Sequence, residues 1–254
     1  MLRSWTRLFR IFWGWENTNF GEFFLGHYHR MTNTFQSQFF INVNSGKEGI
    51  INTELQLIFY DMLQNVVLDF FNKFRFLKMV DLIELAKMST LKTYEAGELI
   101  AEEGDIFPFV LGIQKGMIRT YILNADGDEK TTRIAKEKDF CSCAFSVIRG
   151  EPSMEYLMAI EDCKVIALDI ERLRKATENN IRILRLWNDA IMDAFIEAIQ
   201  RIEFFAVLSP EERYKHLLNE IPDLLQRVPQ KYLASYIGVT TVSFSRIRSR
   251  VSSK

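Results

Sequence analysis

Cysteine is scarce, with only Cys141, Cys143 and Cys163 among 254 residues. Three thiols cannot build a disulfide framework, and their odd number leaves one over even if two pair. A reducing, cytoplasmic setting is therefore expected. Histidine is equally scarce, and His27, His29 and His216 stand in no recognisable ligand spacing. No apolar run reaches the roughly 18 residues that a bilayer-spanning helix needs. The first residues also lack a compact apolar stretch followed by a small-residue cleavage site. Neither a spanning helix, nor export, nor a membrane partner is expected. Also missing are an arrangement of paired carboxylates, a nucleophile with its base, and a glycine-rich phosphate loop ending in Gly-Lys-Ser/Thr. An enzyme is thus the weakest functional class, and no catalytic residue, cofactor or metal is expected.

One absence is positional. From Leu224 to Lys254 there is no Asp or Glu, while Arg227, Lys231, Arg246, Arg248, Arg250 and Lys254 lie there. The net charge of -1 hides this segregation, which marks the C-terminal end for a polyanionic partner. With 48% hydrophobic and 26% charged residues, the chain is otherwise that of an ordinary globular protein, long enough for one large domain or two small ones.

Residues 1–55 differ in texture, with Trp5, Trp13, Trp15 and several Phe scattered among Asn, Thr, Gly and Ser. Two readings stand. Trp5, Leu8, Phe9 and Phe12 can share one face of a basic amphipathic helix with Arg3, Arg7 and Arg10 largely opposite, suited to a membrane surface. The alternative is a loosely packed N-terminal extension outside the working fold, and it is favoured because no second anchoring signal accompanies the helix.

From Met62 to Phe74 the apolar positions Leu63, Val66, Val67, Phe70, Phe71 and Phe74 recur at helical spacing, and Leu82, Leu85, Ala86 and Met88 predict a second short helix. Between Leu91 and Ile170 the pattern becomes short strand-like runs: 91–94, 99–101, 109–114, 117–123, 131–135, 156–160 and 165–169. Gly97, Gly104, Gly116 and Gly127 fall in the gaps, where tight turns need backbone freedom. Many short strands with regular turns predict a small barrel or roll over 62–178 within an α+β fold.

The run Lys92-Thr-Tyr-Glu-Ala-Gly97-Glu-Leu-Ile-Ala-Glu-Glu-Gly104-Asp105, followed by Gln114-Lys-Gly116-Met-Ile-Arg-Thr-Tyr, resembles the cyclic-nucleotide-binding β-roll of the CRP/FNR family of bacterial transcription regulators. With the C-terminal motif described below, the resemblance spans about residues 62–254. It implies a jelly-roll-like effector domain, a long dimerisation helix and a small helical, winged-type helix-turn-helix domain. In that family a Gly-Glu pair meets the ribose and a downstream Arg the phosphate. The matching stretch here is Phe140-Cys-Ser-Cys-Ala-Phe-Ser-Val-Ile-Arg-Gly-Glu-Pro-Ser153-Met-Glu155-Tyr.

Cys141 and Ser142 stand in place of Gly-Glu, which removes the carboxylate acceptor and the close backbone approach. Ser153 falls near the position of the phosphate-binding Arg, with Glu155 beside it, and an unopposed negative charge repels an anion. The expectation is that the roll keeps its fold but takes another small effector, of unknown identity, or none. Cys141, Ser142, Cys143, Arg149 and Ser153 are the candidate effector residues, Arg149 as a substitute cation. The three thiols are read as small buried hydrophobes; a thiol sensor at Cys141 and Cys143 is the alternative. A Cys-X-Cys pair with one distant Cys does not match an iron-sulfur ligand set.

Residues 179–206 contain no Gly or Pro, and Leu184, Trp187, Ile191, Ala194, Ala198 and Ile202 follow one another at steps of three and four. This heptad-like stripe predicts a helix that meets its copy in a homodimer, with Phe195 and Ile199 widening the surface. The dimer is what the resemblance implies.

Residues 207–254 read as the DNA-binding unit. Ser209-Pro210-Glu211-Glu212 combines an N-cap, a first-turn Pro and a capping box, and Pro222 ends that helix. Pro229 opens another, Gly238 breaks it, and Thr240 caps the last. Leu233, Ala234, Ile237, Val239, Phe244 and Ile247 stand around Gly238 at the spacing of a helix-turn-helix: a small residue at the crossing, a Gly in the turn, apolar residues fixing the angle. Thr241, Val242, Ser245, Arg246 and Ser249 then face a major groove. Arg248, Arg250, Lys231 and Arg227 are expected to reach phosphates. Thr240 completes the predicted set. The function expected is a dimeric regulator binding double-stranded DNA by sequence, with RNA polymerase as a further partner implied by the resemblance. The competing class is a ligand- or partner-binding module whose basic tail binds RNA or membrane without sequence preference.

Overall fold

The computed structural model describes residues 76–252. The readings placed on 1–55 and on the helix at 62–74 lie outside these residues. Helix α1 (Met79–Lys87) leads into eight strands: β1 (Ser89–Tyr94), β2 (Leu99–Ala101), β3 (Phe109–Lys115), β4 (Ile118–Leu123), β5 (Glu129–Ala135), β6 (Phe140–Cys141), β7 (Tyr156–Ala159) and β8 (Cys163–Asp169). A short helix, α2 (Ala144–Arg149), interrupts them after β6. Six helices follow: α3 (Ile170–Asn179), α4 (Ile181–Val207), α5 (Pro210–Glu220), α6 (Pro222–Arg227), α7 (Gln230–Tyr236) and α8 (Thr241–Ser252).

The strands form two antiparallel sheets, ordered β1-β8-β3-β6 and β2-β7-β4-β5. Strand β8 shows why: Cys163, Val165 and Ala167 alternate into the core at no more than 4% exposure, while Lys164 faces out. Leu111 and Ile113 from β3, Ile118 from β4, and Leu157 and Ala159 from β7 meet them, filling the space between the sheets. The predicted turn glycines all take positive φ. Gly116 is held to that identity twice over: φ is +96°, and a Cβ would lie 2.6 Å from both the Asp162 carbonyl oxygen and the Cys163 sulfur.

Local chemistry sets the helix boundaries. Asp169 accepts from the Arg172 amide at 3.0 Å to start α3, and Asn180 accepts from the Arg182 amide at 3.1 Å to start α4. The Ser209/Glu212 capping box opens α5 as expected, its Glu212 carboxylate accepting from the Ser209 amide at 2.8 Å. Buried Asp81 anchors α1 to α4: Arg182 donates to its two oxygens at 2.6 and 2.9 Å, and Asn180 at 2.8 Å. These bonds hold its carboxyl far below the ordinary range.

Three elements differ from expectation. β6 is only two residues long and paired with β3, α2 is a helix inside the presumed ligand cassette, and α6 begins at the same Pro222 that ends α5. The winged form of the C-terminal unit is corrected as well: from 170 to 252 the described residues hold helices and connections and no strand. No helix among the described residues is long and apolar enough to cross a membrane.

Candidate nucleic-acid interface and effector cassette

The helix-turn-helix forms from α7 and α8 around the turn 237–240. Leu233, Ala234, Ile237, Phe244 and Ile247 are buried, with Val239 packed against them, and Tyr214 and Leu217 of α5, Leu224 of α6 and Val228 just after it close the same core. The Phe244 ring meets Tyr214 edge-on at 5.4 Å. Gly238 has φ of +71°, and a Cβ there would lie 2.8 Å from Cε1 of Phe205 in α4. Thr240 caps α8, its hydroxyl accepting from the Ser243 amide at 3.2 Å.

This core leaves the predicted reading face outside. Thr241, Val242, Ser245, Arg246 and Ser249 are all exposed along one side of α8, and Thr240 and Arg248 are exposed with them. Sequence reasoning missed one neighbour: Gln230, at the start of α7, donates through Nε2 to the Ser245 hydroxyl at 2.6 Å and to the Thr241 carbonyl at 3.4 Å. Gln230 thereby fixes the rotamer of Ser245 and adds an amide to the same exposed surface.

The basic residues divide. Lys231 is exposed beside its own helix, with its ammonium 4.6 Å from the Tyr232 ring centroid. Arg250 faces Glu211 at 3.3 Å, an exposed pair of little energetic weight. Arg227 is corrected: it is no free phosphate contact but a bidentate partner of Glu137, at 2.6 and 2.9 Å, and of Glu161. The two carboxylates strengthen its hold on the proton.

The cassette brings Cys141, Ser142, Cys143 and Ser153 together and leaves Arg149 apart. Cys141 and Cys143 point into the core at 3% and 0% exposure, and Cys163 is buried too. Burial pushes their thiols up to about 12 for Cys141 and about 11 for Cys143 and Cys163. Burial of this kind keeps them protonated and shielded, which favours the reading as small buried hydrophobes over a thiol sensor. Ser153 is buried, and its hydroxyl is spent on the backbone of Glu155, donating to that carbonyl at 2.8 Å and accepting from that amide at 2.9 Å. Arg149 lies exposed in the last turn of α2 beside Glu151, 3.8 Å away.

Glu155 decides the electrostatics. Its carboxylate is half-buried and accepts from the Ala144 amide at the first turn of α2, while burial raises its pKa. Helix-start amides are natural anion donors, and here the chain's own carboxylate uses one. The nearby cation is Arg133 of β5, and it is engaged: it pairs with Glu197 of α4 at 2.5 and 2.8 Å and donates to the Phe140 carbonyl.

Helix α4 carries an uncovered apolar face. Met192, Phe195, Ile196, Ile199 and Ile202 are exposed, Phe195 by 59% and Ile202 by 68%. Of the predicted stripe, Ala194, Ala198 and Ile202 are exposed, whereas Leu184, Trp187 and Ile191 are half-buried. At about 100° per residue, the open face is turned by roughly a quarter revolution from that stripe.

Residues 91–180 match the family model described as the cyclic nucleotide-binding domain. Solved structures with the same architecture include FixK2 from Bradyrhizobium japonicum, at 20% identity and a TM-score of 0.57 over 65% of this chain and 85% of that one. A CRP/FNR-family regulator from Eubacterium rectale gives 18% and 0.58 over 72% and 87%. The regulator CLP of Xanthomonas campestris, described as responsive to c-di-GMP, gives 16% and 0.56 over 69% and 92%. No curated protein matches the chain. The chain thus has the fold of CRP/FNR-type regulators, as the sequence motifs imply.

Proposed function

We propose that the chain is a dimeric, sequence-specific DNA-binding transcription regulator. The observation that carries this reading is the helix-turn-helix itself: the six apolar residues spaced around Gly238 pack into one core, and a continuous row of short or basic side chains is turned out on α8. A short-residue face lets a helix enter a major groove closely, and Arg246 on it suits the O6 and N7 acceptors of guanine. Arg248 and Lys231 serve phosphates, which fix register and make affinity fall with salt.

Dimerisation through α4 is part of the proposal, supported by its open apolar face, which a second copy of the helix would cover. A pseudo-palindromic site follows from the two-fold symmetry of such a dimer. The effector, where one acts, is not a cyclic nucleotide held in the usual way, because Glu155 uses the α2 amide and Arg133 is committed to Glu197. RNA polymerase belongs to the proposal as the further partner.

The test is sequence selection by the full chain from random duplexes, repeated with Arg246→Ala. Loss of preference for guanine at one symmetric position, with a discrimination of about 1–3 kcal/mol removed, is expected. An unchanged preference contradicts the assignment of Arg246.

A further inference from the structure

The helix-turn-helix unit is joined to the roll by more than its connecting helix. Strand β5 is the outer strand of the sheet β2-β7-β4-β5, and an outer strand leaves amides and carbonyls open. Ser235 of α7 closes that edge, its hydroxyl accepting from the Thr131 amide at 2.8 Å and donating to the Glu129 carbonyl at 2.9 Å. Next to it, on β4, Arg119 is wholly buried. Its guanidinium lies 4.1 Å from the ring centroid of Tyr121 and 3.7 Å from that of Tyr232, and the Glu129 carboxylate neutralises it. Buried guanidinium is tolerated only with such partners. One wall of the cage, Tyr232, belongs to α7.

Apolar packing points the same way. Met117, Ile134 and Ile160 of the roll are in one core with Leu217, Leu233, Ile237 and Phe244 of the C-terminal unit. Three ion pairs join the same two parts: Arg227 with Glu137 and with Glu161, and Lys136 with Asp223 at 2.8 Å. Separating the two parts would expose the apolar residues, open the β5 edge and leave Arg119 with one aromatic face.

We infer that the roll and the helix-turn-helix move as one rigid body, and that β4 and β5, through Arg119 and Ser235, set the direction of α8. The geometry stands by itself; its consequence for DNA rests on the reading proposed above. A reading helix held in one direction loses no affinity to the search for it.

The experiment uses the full chain carrying Asp126→Cys in the β4–β5 turn and Ser252→Cys at the end of α8. Both are spin-labelled while the native thiols stay buried, and the protein is diluted with unlabelled protein so that distances within one protomer are read. A single narrow distance distribution is expected. Ser235→Ala combined with Tyr232→Leu is expected to broaden it, and to weaken binding of the selected duplex about ten-fold in unlabelled protein. Ser235→Ala alone, which disturbs less, should move both readouts in the same direction. A broad or bimodal distribution in the native protein, or either readout unchanged in the double variant, overturns the inference. If the native protein gives a narrow distance but selects no duplex, the rigid body stands and the DNA-binding reading fails.

Discussion

Gly238→Ala isolates the turn on which the helix-turn-helix depends. Two costs fall on the same atom. A φ of +71° belongs to the left-handed region, where a Cβ costs roughly 1–2 kcal/mol. That Cβ would also lie 2.8 Å from Cε1 of Phe205, the outer end of a ring that is itself 40% exposed, and turning that ring off its rotamer costs about 0.5–1.5 kcal/mol. The sum is a loss of about 1.5–3.5 kcal/mol, a sizeable part of a typical domain's stability. Urea unfolding monitored by circular dichroism measures it, and a double-mutant cycle separates the parts. In a Phe205→Leu background the steric share disappears and the cost should fall to roughly 1–2 kcal/mol, the conformational share alone. An equal cost in both backgrounds would refute the contact with α4. A cost near zero in either would refute the left-handed turn.

Further predictions follow from the charged and apolar residues. Arg227 holds the Glu137 carboxyl down to about 2 from an ordinary value of 4.5. A lowered acid pKa stabilises the fold above the unfolded value, and that stability is lost as pH falls from about 4.5 towards 2. Comparing acid unfolding of the native chain with Arg227→Gln should show a shallower loss in the variant over this window; parallel curves would remove the ion pair from the account. The raised thiols predict that iodoacetamide at pH 8 modifies none of the three cysteines in the folded protein and all of them in denaturant, as mass spectrometry would report. Phe195→Glu should convert a dimer to a monomer in sedimentation velocity, because Phe195 is central to the open face of α4. Ile191→Glu is expected to disturb folding as well, since Ile191 is half-buried. Titration calorimetry with cyclic AMP and cyclic GMP should show no micromolar binding.

The long-period features were legible in the sequence, and so were the strands. Seven of the eight strands follow from alternating side chains between glycine turns, and α4 from an unbroken three-and-four spacing capped by Asn180. The helix-turn-helix was readable because its core residues are close in sequence and sterically demanding. What escaped was short, or depended on distant partners. β6, at two residues, is too brief to show a period. The apolar run Cys143 to Ile148 reads equally as strand or helix, and becomes α2 only where Gly150 takes φ of +72° at its end. Arg227 could not be placed because Glu137 and Glu161 are 90 and 66 residues away. Arg119 looks like an outward charge on a strand until α7 covers it. The α4 stripe divides, with Leu184, Trp187 and Ile191 half-buried and Ala194, Ala198 and Ile202 exposed, because a helix that packs along one part and is open along another carries more than one apolar stripe, and spacing alone does not say which residues are covered.

The reading most exposed to experiment is that α8 reads sequence. Purified full-length protein should be mixed with a pool of random duplexes at two salt concentrations, and the bound fraction sequenced after several rounds. The account predicts one enriched motif with two-fold symmetry, guanine at the position that Arg246 contacts, and affinity for it that exceeds random duplex by at least about a thousand-fold. Binding that weakens steeply with salt but enriches no sequence would contradict it, and would leave α8 as a basic surface that recognises phosphate alone.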